Sequence, residues 1–278
     1  MRRTREPRVR LFVFHHAGGS HLSYRDWASH FPADWEVHVP DAPGRGPRDD
    51  RPVPGDAAAL VASHLSTLRR RLTGPFAFFG HSLGALIAYE LTRRLVEEGR
   101  TPPIWLGVSA RSPLHAGHET APQGAGGPRA RGTAADAART TDGVRPGRHL
   151  LSDDDLRREV GSMGGTAPEV LAHPQLWELF APVIRADLRI NETWHPPVAA
   201  APLPVPLSVF GGTEDRVTPP HLLGGWSDAS RAFLGLRLFD GGHFYFHDRL
   251  PEVARRIQDD VHRSLDPSPH GTAAAVTR

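Results

Sequence analysis

Apolar residues fall along this chain in two alternating patterns. Short, nearly continuous apolar runs occupy residues 9–14, 36–39, 76–80, 104–109, 206–211 and 234–239. Runs of that length read as strands buried on both faces. Between them, near 56–72, 84–98 and 251–264, apolar residues recur at helical spacing. Strands alternating with helices predict an α/β fold, a parallel sheet covered on both faces. The alternation breaks from about 152 to 195, where no strand is expected. Ser152 is placed to cap a helix opening Asp153-Asp154-Asp155, with acids favourable in its first turn. Leu176, Leu179, Phe180, Val183, Ile184, Leu188 and Ile190 then form a helical stripe, much of it expected to pack on the core. Pro196-Pro197 and Pro202 punctuate the return to the sheet.

The third apolar run leads straight into Gly80-His81-Ser82-Leu83-Gly84, and a helical pattern follows. A G-x-S-x-G sequence between a strand and a helix puts its serine on a strained corner with the hydroxyl exposed. A Cβ at either flanking glycine would crowd that corner. Ser82 is therefore the expected nucleophile. A serine hydroxyl is weak at neutral pH and needs a base, which in turn needs an orienting group.

Around this strand–elbow–helix unit, the expected chain order is serine, acid, histidine. Asp215 lies just past the fifth apolar run, and His243 sits in a glycine-rich loop past the sixth. They are read as orienter and base. Glu214 and Asp240 are the rival acids; Asp240 is close enough to His243 in sequence to cap its loop instead. His247 is the rival base, although it follows the glycine turn rather than lying in it. The tetrahedral intermediate needs donors for its oxyanion. One is the backbone N–H of Leu83, directly after the nucleophile. The second is expected from His15-His16-Ala17-Gly18-Gly19-Ser20, a glycine-rich loop after the first strand; the alternative is a plain glycine turn. No H-E-x-x-H or cysteine ligand set accompanies the paired histidines, so neither a metal nor another cofactor is expected.

With these residues in view, the chain resembles the stand-alone type II thioesterases of polyketide synthase and nonribosomal peptide synthetase systems. The matching segments are His16-Ala17-Gly18-Gly19-Ser20, Pro43-Gly44-Arg45-Gly46, the block from Gly80 to Glu98, Val108-Ser109-Ala110-Arg111, Gly164-Gly165-Thr166, Arg185-Ala186-Asp187 and Gly241-Gly242-His243-Phe244. They run in order through nearly the whole chain. The resemblance implies an α/β-hydrolase fold with a small helical lid. It implies a triad of Ser82, Asp215 and His243 with oxyanion amides at Ala17 and Leu83. It also implies hydrolysis of acyl groups from the phosphopantetheine arm of a carrier protein, which edits stalled or mis-primed synthases. A chain-releasing or cyclising thioesterase, or a small-molecule carboxylesterase, is the alternative. Two features depart from the family pattern. His15 stands where a proline usually precedes the histidine of the first loop, which is expected to alter loop rigidity or pocket polarity. A Gly/Ala/Arg/Pro-rich stretch also lies between Ser112 and Leu151, where the family has a short link.

The expected organisation is a first core part at 1–112, a flexible insertion at 113–151, a helical lid at 152–198, a second core part at 199–265 and a disordered tail at 266–278. The insertion and the tail have too few large apolar residues to offset the entropy of ordering. The 278 residues, 39% of them hydrophobic, suffice for one large core. No apolar run approaches a membrane span, and the basic Met1–Pro7 stretch runs into the first strand without a signal-like apolar segment. Cysteine is absent, which excludes disulfides and a thiolate nucleophile and fits a cytoplasmic enzyme. All 33 Lys+Arg positions are arginine, yet the net charge is only +2, so nucleic acid is not an expected partner. Those arginines would suit the acidic surface expected of a carrier protein. A monomer is expected, with nothing in the sequence to fix the oligomeric state.

Overall fold

In the computed structural model, which describes residues 6–45, 49, 51–113, 147–196 and 200–265, six parallel strands stand in the order β2-β1-β3-β4-β5-β6. They are β1 (Val9–Phe14), β2 (Trp35–His38), β3 (Phe76–His81), β4 (Trp105–Ser109), β5 (Leu207–Gly212) and β6 (Phe233–Phe239). Each lies within a residue or two of its predicted run. β1, β3, β4 and β5 are buried almost throughout, which is why they read as unbroken apolar stretches. β6 lies at the sheet edge and is only partly buried.

Alternate strand residues feed opposite layers. Phe12, Phe14, Phe76 and Phe78 pack with Leu60, Leu65, Leu86 and Leu91 of α1 (Ala57–Leu68) and α2 (Leu83–Glu97). Leu11, Val13, Ala77 and Phe79 face the other way, against Val253, Ile257 and Val261 of α6 (Phe246–Leu265) and Trp27 and Phe31 beneath them. Asp56 caps α1 by accepting from Ala59 N–H at 2.8 Å. The main run of α6 begins near its predicted start. Arg249 is non-helical just before Pro251, so a kink separates the first turn, at Phe246, from the main run. On this second face the sheet is tied to α6 by a buried polar chain: Trp105 Nε1–H donates to Ser208 Oγ at 3.0 Å, and Ser208 Oγ–H donates to Asp260 Oδ2 at 2.8 Å.

Three helices intervene between β4 and β5: α3 (Asp153–Met163), α4 (Pro168–Ala172) and α5 (Pro174–Thr193). Ser152 accepts from Asp155 N–H and caps α3, as its position predicts. Leu156, Val160, Trp177, Ala181, Ile184 and Leu188 form this layer's own small core. The predicted stripe is half right. Ile184, Leu188 and Ile190 are buried, whereas Leu176, Leu179 and Phe180 are exposed. Trp177 and Ala181 turn inward in their place, because the early turns of α5 pack on α3 and α4 rather than on the sheet. Most of the predicted 113–151 insertion, and all of the 266–278 tail, lie outside the described residues.

In the sheet order, β1 is flanked by β2 on one side and β3 on the other, so the chain reverses its direction of growth there. Open α/β sheets bind ligands at that reversal, beyond the carboxyl ends of the strands. The loop 15–20, Ser82, Asp215 and His243 all follow the carboxyl ends of strands on this one edge.

Candidate active site

Ser82 sits between β3 and α2 with φ 55° and ψ −112°, a conformation L-residues rarely adopt. The flanking glycines make that corner possible. A Cβ on Gly80 would lie 1.9 Å from the Gly84 carbonyl oxygen, and one on Gly84 would lie 2.0 Å from the Phe14 carbonyl oxygen. The helix start thus presses directly on β1, bringing Leu83 beside the loop that leaves that strand. Strain of this kind persists only where surrounding packing enforces it, and it is concentrated at functional sites.

His243 and Asp215 are both buried, and His243 Nδ1 lies 2.8 Å from Asp215 Oδ2. Asp215 Oδ1 accepts from Val217 N–H at 2.8 Å and Thr218 N–H at 2.9 Å. Both carboxylate oxygens are thereby occupied and the acid is fixed in orientation. The imidazole carries its proton on Nδ1 toward Asp215, which leaves Nε2 as the basic nitrogen. Ser82 and His243 line the same cleft, and among the described residues Ser82 Oγ makes no hydrogen bond. Such contacts are often loose before substrate is bound.

The rivals stand apart. Glu214 is exposed. Asp240 is also exposed and meets Arg249 at 3.4 Å rather than capping the His243 loop. His247 is exposed beyond the loop and stacks on Phe244.

The first loop is braced from several sides. His15 Nδ1–H donates to His16 O at 2.9 Å, and Ala42 N–H donates to His15 Nε2 at 3.2 Å. Burial holds the His15 pKa well below its usual value, so the ring is neutral. The histidine that departs from the family pattern therefore stiffens the loop from behind and does not line the cleft. His16 does line it. Its Nε2–H points to Gly165 O at 3.3 Å, and Nδ1 accepts from Tyr24 O–H at 3.2 Å. Burial lowers its pKa to about 3. Among the described residues, the N–H groups of Ala17 and Leu83 take part in no turn or cap hydrogen bond.

The cleft has a volume of about 490 Å³, counted to its open mouth. Ser82, His243, Ala17 and Phe244 form its floor, and Val160, Met163, Ile184, Leu188 and Asn191 its roof. Arg148 is the one arginine lining it among the described residues, and that charge is already engaged by Glu159 at 2.9 Å.

Sequence reasoning missed the support under the nucleophile. His81 is fully buried, with its ring centroid 5.0 Å from that of His243 and 4.8 Å from that of Phe246. Its Nδ1 meets Ser109 Oγ at 2.8 Å, which meets Tyr245 Oη at 2.7 Å. Burial keeps His81 neutral by lowering its pKa well below the usual value.

A parallel sheet with a serine elbow and a helical cover defines an α/β-hydrolase. The thioesterase domain family model matches residues 9–261, and the chain belongs to that family, whose members hydrolyse thioesters. It is 31% identical over 257 residues to the probable cadicidin biosynthesis thioesterase of Streptomyces griseus, covering 91% of this chain but only 63% of that relative. It is 30% identical over 258 residues to thioesterase PikA5 of Streptomyces venezuelae, covering 91% of this chain and 81% of that protein. Among solved structures, the type II thioesterase BorB from the borrelidin biosynthetic cluster superimposes with a TM-score of 0.72 at 29% identity, over 91% of this chain and 92% of that one.

Proposed function

We propose that this chain is a serine thioesterase that removes acyl groups from the phosphopantetheine arm of carrier proteins, and so edits stalled or mis-primed polyketide and nonribosomal peptide synthases. Ser82 Oγ attacks the thioester carbonyl while His243 Nε2 takes its proton. Asp215 holds the imidazole tautomer and stabilises the imidazolium. The amides of Ala17 and Leu83 bind the oxyanion. The thiolate leaves and takes its proton from His243. His243 then activates water against the acyl-serine, releasing the carboxylic acid.

The observation that carries this reading is a single cleft. Its floor holds Ser82, His243 and Ala17, and its roof is the apolar face of α3 and α5. The helices α3 to α5 act as the lid over an acyl slot. Relatives named for biosynthetic clusters support a carrier-bound substrate.

The test compares kcat/KM for one short acyl group on a carrier protein, the same group on a small thiol, and a full-length chain on the carrier. Editing predicts the highest value for the short carrier-bound group, with water as acceptor. A preference for the full-length chain would make it a releasing enzyme. Equal efficiency on carrier and small thiol, at low salt and across several acyl lengths, would make it a small-molecule esterase.

A further inference from the structure

Two segments that carry the family resemblance, Pro43-Gly44-Arg45 and Arg185-Ala186-Asp187, have no part in the chemistry above, yet the fold brings them together at the active site. The Arg45 guanidinium and the Asp187 carboxylate form an ion pair, with side chains only 4% and 2% exposed. Asp187 lies on α5, in the lid, and Arg45 lies in the loop after β2. The same Asp187 Oδ2 accepts from Gly18 N–H at 2.7 Å, and Arg45 Nε–H donates to Gly19 O at 3.0 Å. A second Arg45 nitrogen donates to Pro43 O at 3.3 Å. An ion pair spanning two distant segments thus grips the loop just after Ala17, at the Gly18 N–H and at the Gly19 carbonyl.

We propose that Asp187 and Arg45 are positioning residues of the oxyanion hole, through which lid helix α5 sets the orientation of the Ala17 amide. This rests on the assignment of Ala17 as an oxyanion donor made above.

The local wiring leaves little else for the pair to do. The peptide that carries the Ala17 N–H has its carbonyl, His16 O, held by Gly19 N–H at 3.0 Å and by His15 Nδ1–H at 2.9 Å. The Ala17–Gly18 peptide is held at its N–H by Asp187, and the Gly19–Ser20 peptide at its carbonyl O by Arg45. Gly18 between them has φ +72°, a left-handed turn that a side chain would strain, and a Cβ there would lie 2.7 Å from Ile184. Ile184, Asp187 and Leu188 are three and four residues apart, so one face of α5 is seated on this loop. Ile184 and Leu188 also line the cleft. The helix that roofs the acyl slot is therefore the helix that holds the oxyanion donor in place. Desolvation pushes the Asp187 carboxyl upward while Arg45 and the Gly18 amide pull it down, so the pair is costly to bury and is retained at this loop nonetheless.

The test uses Asp187→Asn and Arg45→Lys, with Ser82→Ala in parallel. Misplacing a reacting group by about 1 Å costs on the order of 100-fold in rate. Asp187→Asn should therefore lower kcat roughly 10- to 100-fold while KM stays within about twofold. Binding of an alkyl trifluoromethyl ketone, whose adduct with Ser82 carries an oxyanion, should weaken by the same factor. The non-fluorinated ketone should bind as before. Arg45→Lys keeps the charge but not the fork, and should show a smaller fall of the same kind. It also serves if Asp187→Asn does not fold. Loss of activity that merely follows the loss of folded protein, or a raised KM with unchanged kcat and unchanged trifluoromethyl ketone affinity, would overturn the proposal. If Ser82→Ala remains active, the triad reading itself fails. If it is inactive while both other variants behave as wild type, only the positioning role fails.

Discussion

Asp215 and His243, 28 residues apart in sequence, meet through a 2.8 Å contact between two almost fully buried side chains. Two backbone amides hold the other oxygen of Asp215, so that carboxylate faces one imidazole nitrogen in one orientation. Asp215→Asn should keep the fold and reduce turnover by several orders of magnitude, because an amide in this place holds the wrong imidazole tautomer. Glu214→Gln should be nearly silent, since Glu214 is exposed. Steady-state rates for the two variants decide the matter; a large loss in the Glu214 variant and a small one in the Asp215 variant would reassign the acid.

Ser82→Ala should fold as wild type and lose acyl-thioester hydrolysis by roughly 10⁴-fold or more, because the members of such a triad act as a unit. Its strained backbone favours no particular side chain, so stability should change little or rise slightly. Incubation of the wild type with a fluorophosphonate, followed by peptide mass spectrometry, should find the adduct on Ser82. An adduct on any other serine would reject the assignment.

Much of this was legible in the sequence because burial on both faces makes a parallel strand an apolar run. The elbow was legible because the close approaches at Gly80 and Gly84 admit only glycine. The outward face of α5 was not. Periodicity identifies an amphipathic helix but not where its partners end, and Leu176, Leu179 and Phe180 extend past theirs. The 3-10 turns at His21–Tyr24 and Trp27–His30 left no periodic signal, being too short to have one. Arg45 and Asp187 could be noticed only as parts of matching segments. A contact across 142 residues that serves a backbone amide has no local signature.

Gly84→Ala should be among the most damaging single substitutions. Its Cβ would lie 2.0 Å from one backbone carbonyl oxygen of β1 and 2.9 Å from the next, that of His15. Neither can rotate away as a side chain would, so α2 must lift from the sheet. We expect a loss of about 3 kcal/mol or more, the upper end of overpacking costs, together with loss of activity, since Leu83 moves with the helix. Urea unfolding checks the first and turnover the second. A variant as stable as wild type would show that the helix start is not pressed against β1.

The last prediction concerns acid stability. His15, His16, His64 and His81 are buried and neutral, with burial the main cause of their lowered pKa values; His16 and His64 are each brought to about 3. Unfolded histidines take up protons near pH 6.5. Between that pH and about 3 the unfolded chain thus binds more protons than the folded one, and stability must fall as pH falls. Each such imidazole contributes a slope of about 1.4 kcal/mol per pH unit. His64 is the one to remove. It packs edge-on against Phe14 at 5.5 Å, its Nε2 has no partner among the described residues, and it does not line the cleft. His64→Leu replaces an unpartnered buried polar group by an apolar one, so stability at pH 7 should hold or rise by up to about 1 kcal/mol. Between pH 6 and 4 the decline should be shallower by one imidazole's slope, while activity at pH 7 is unchanged. Urea denaturation at pH 7, 6, 5 and 4 measures the difference. Parallel stability curves for variant and wild type would mean that His64 is protonated in the folded protein or solvated by water at its Nε2.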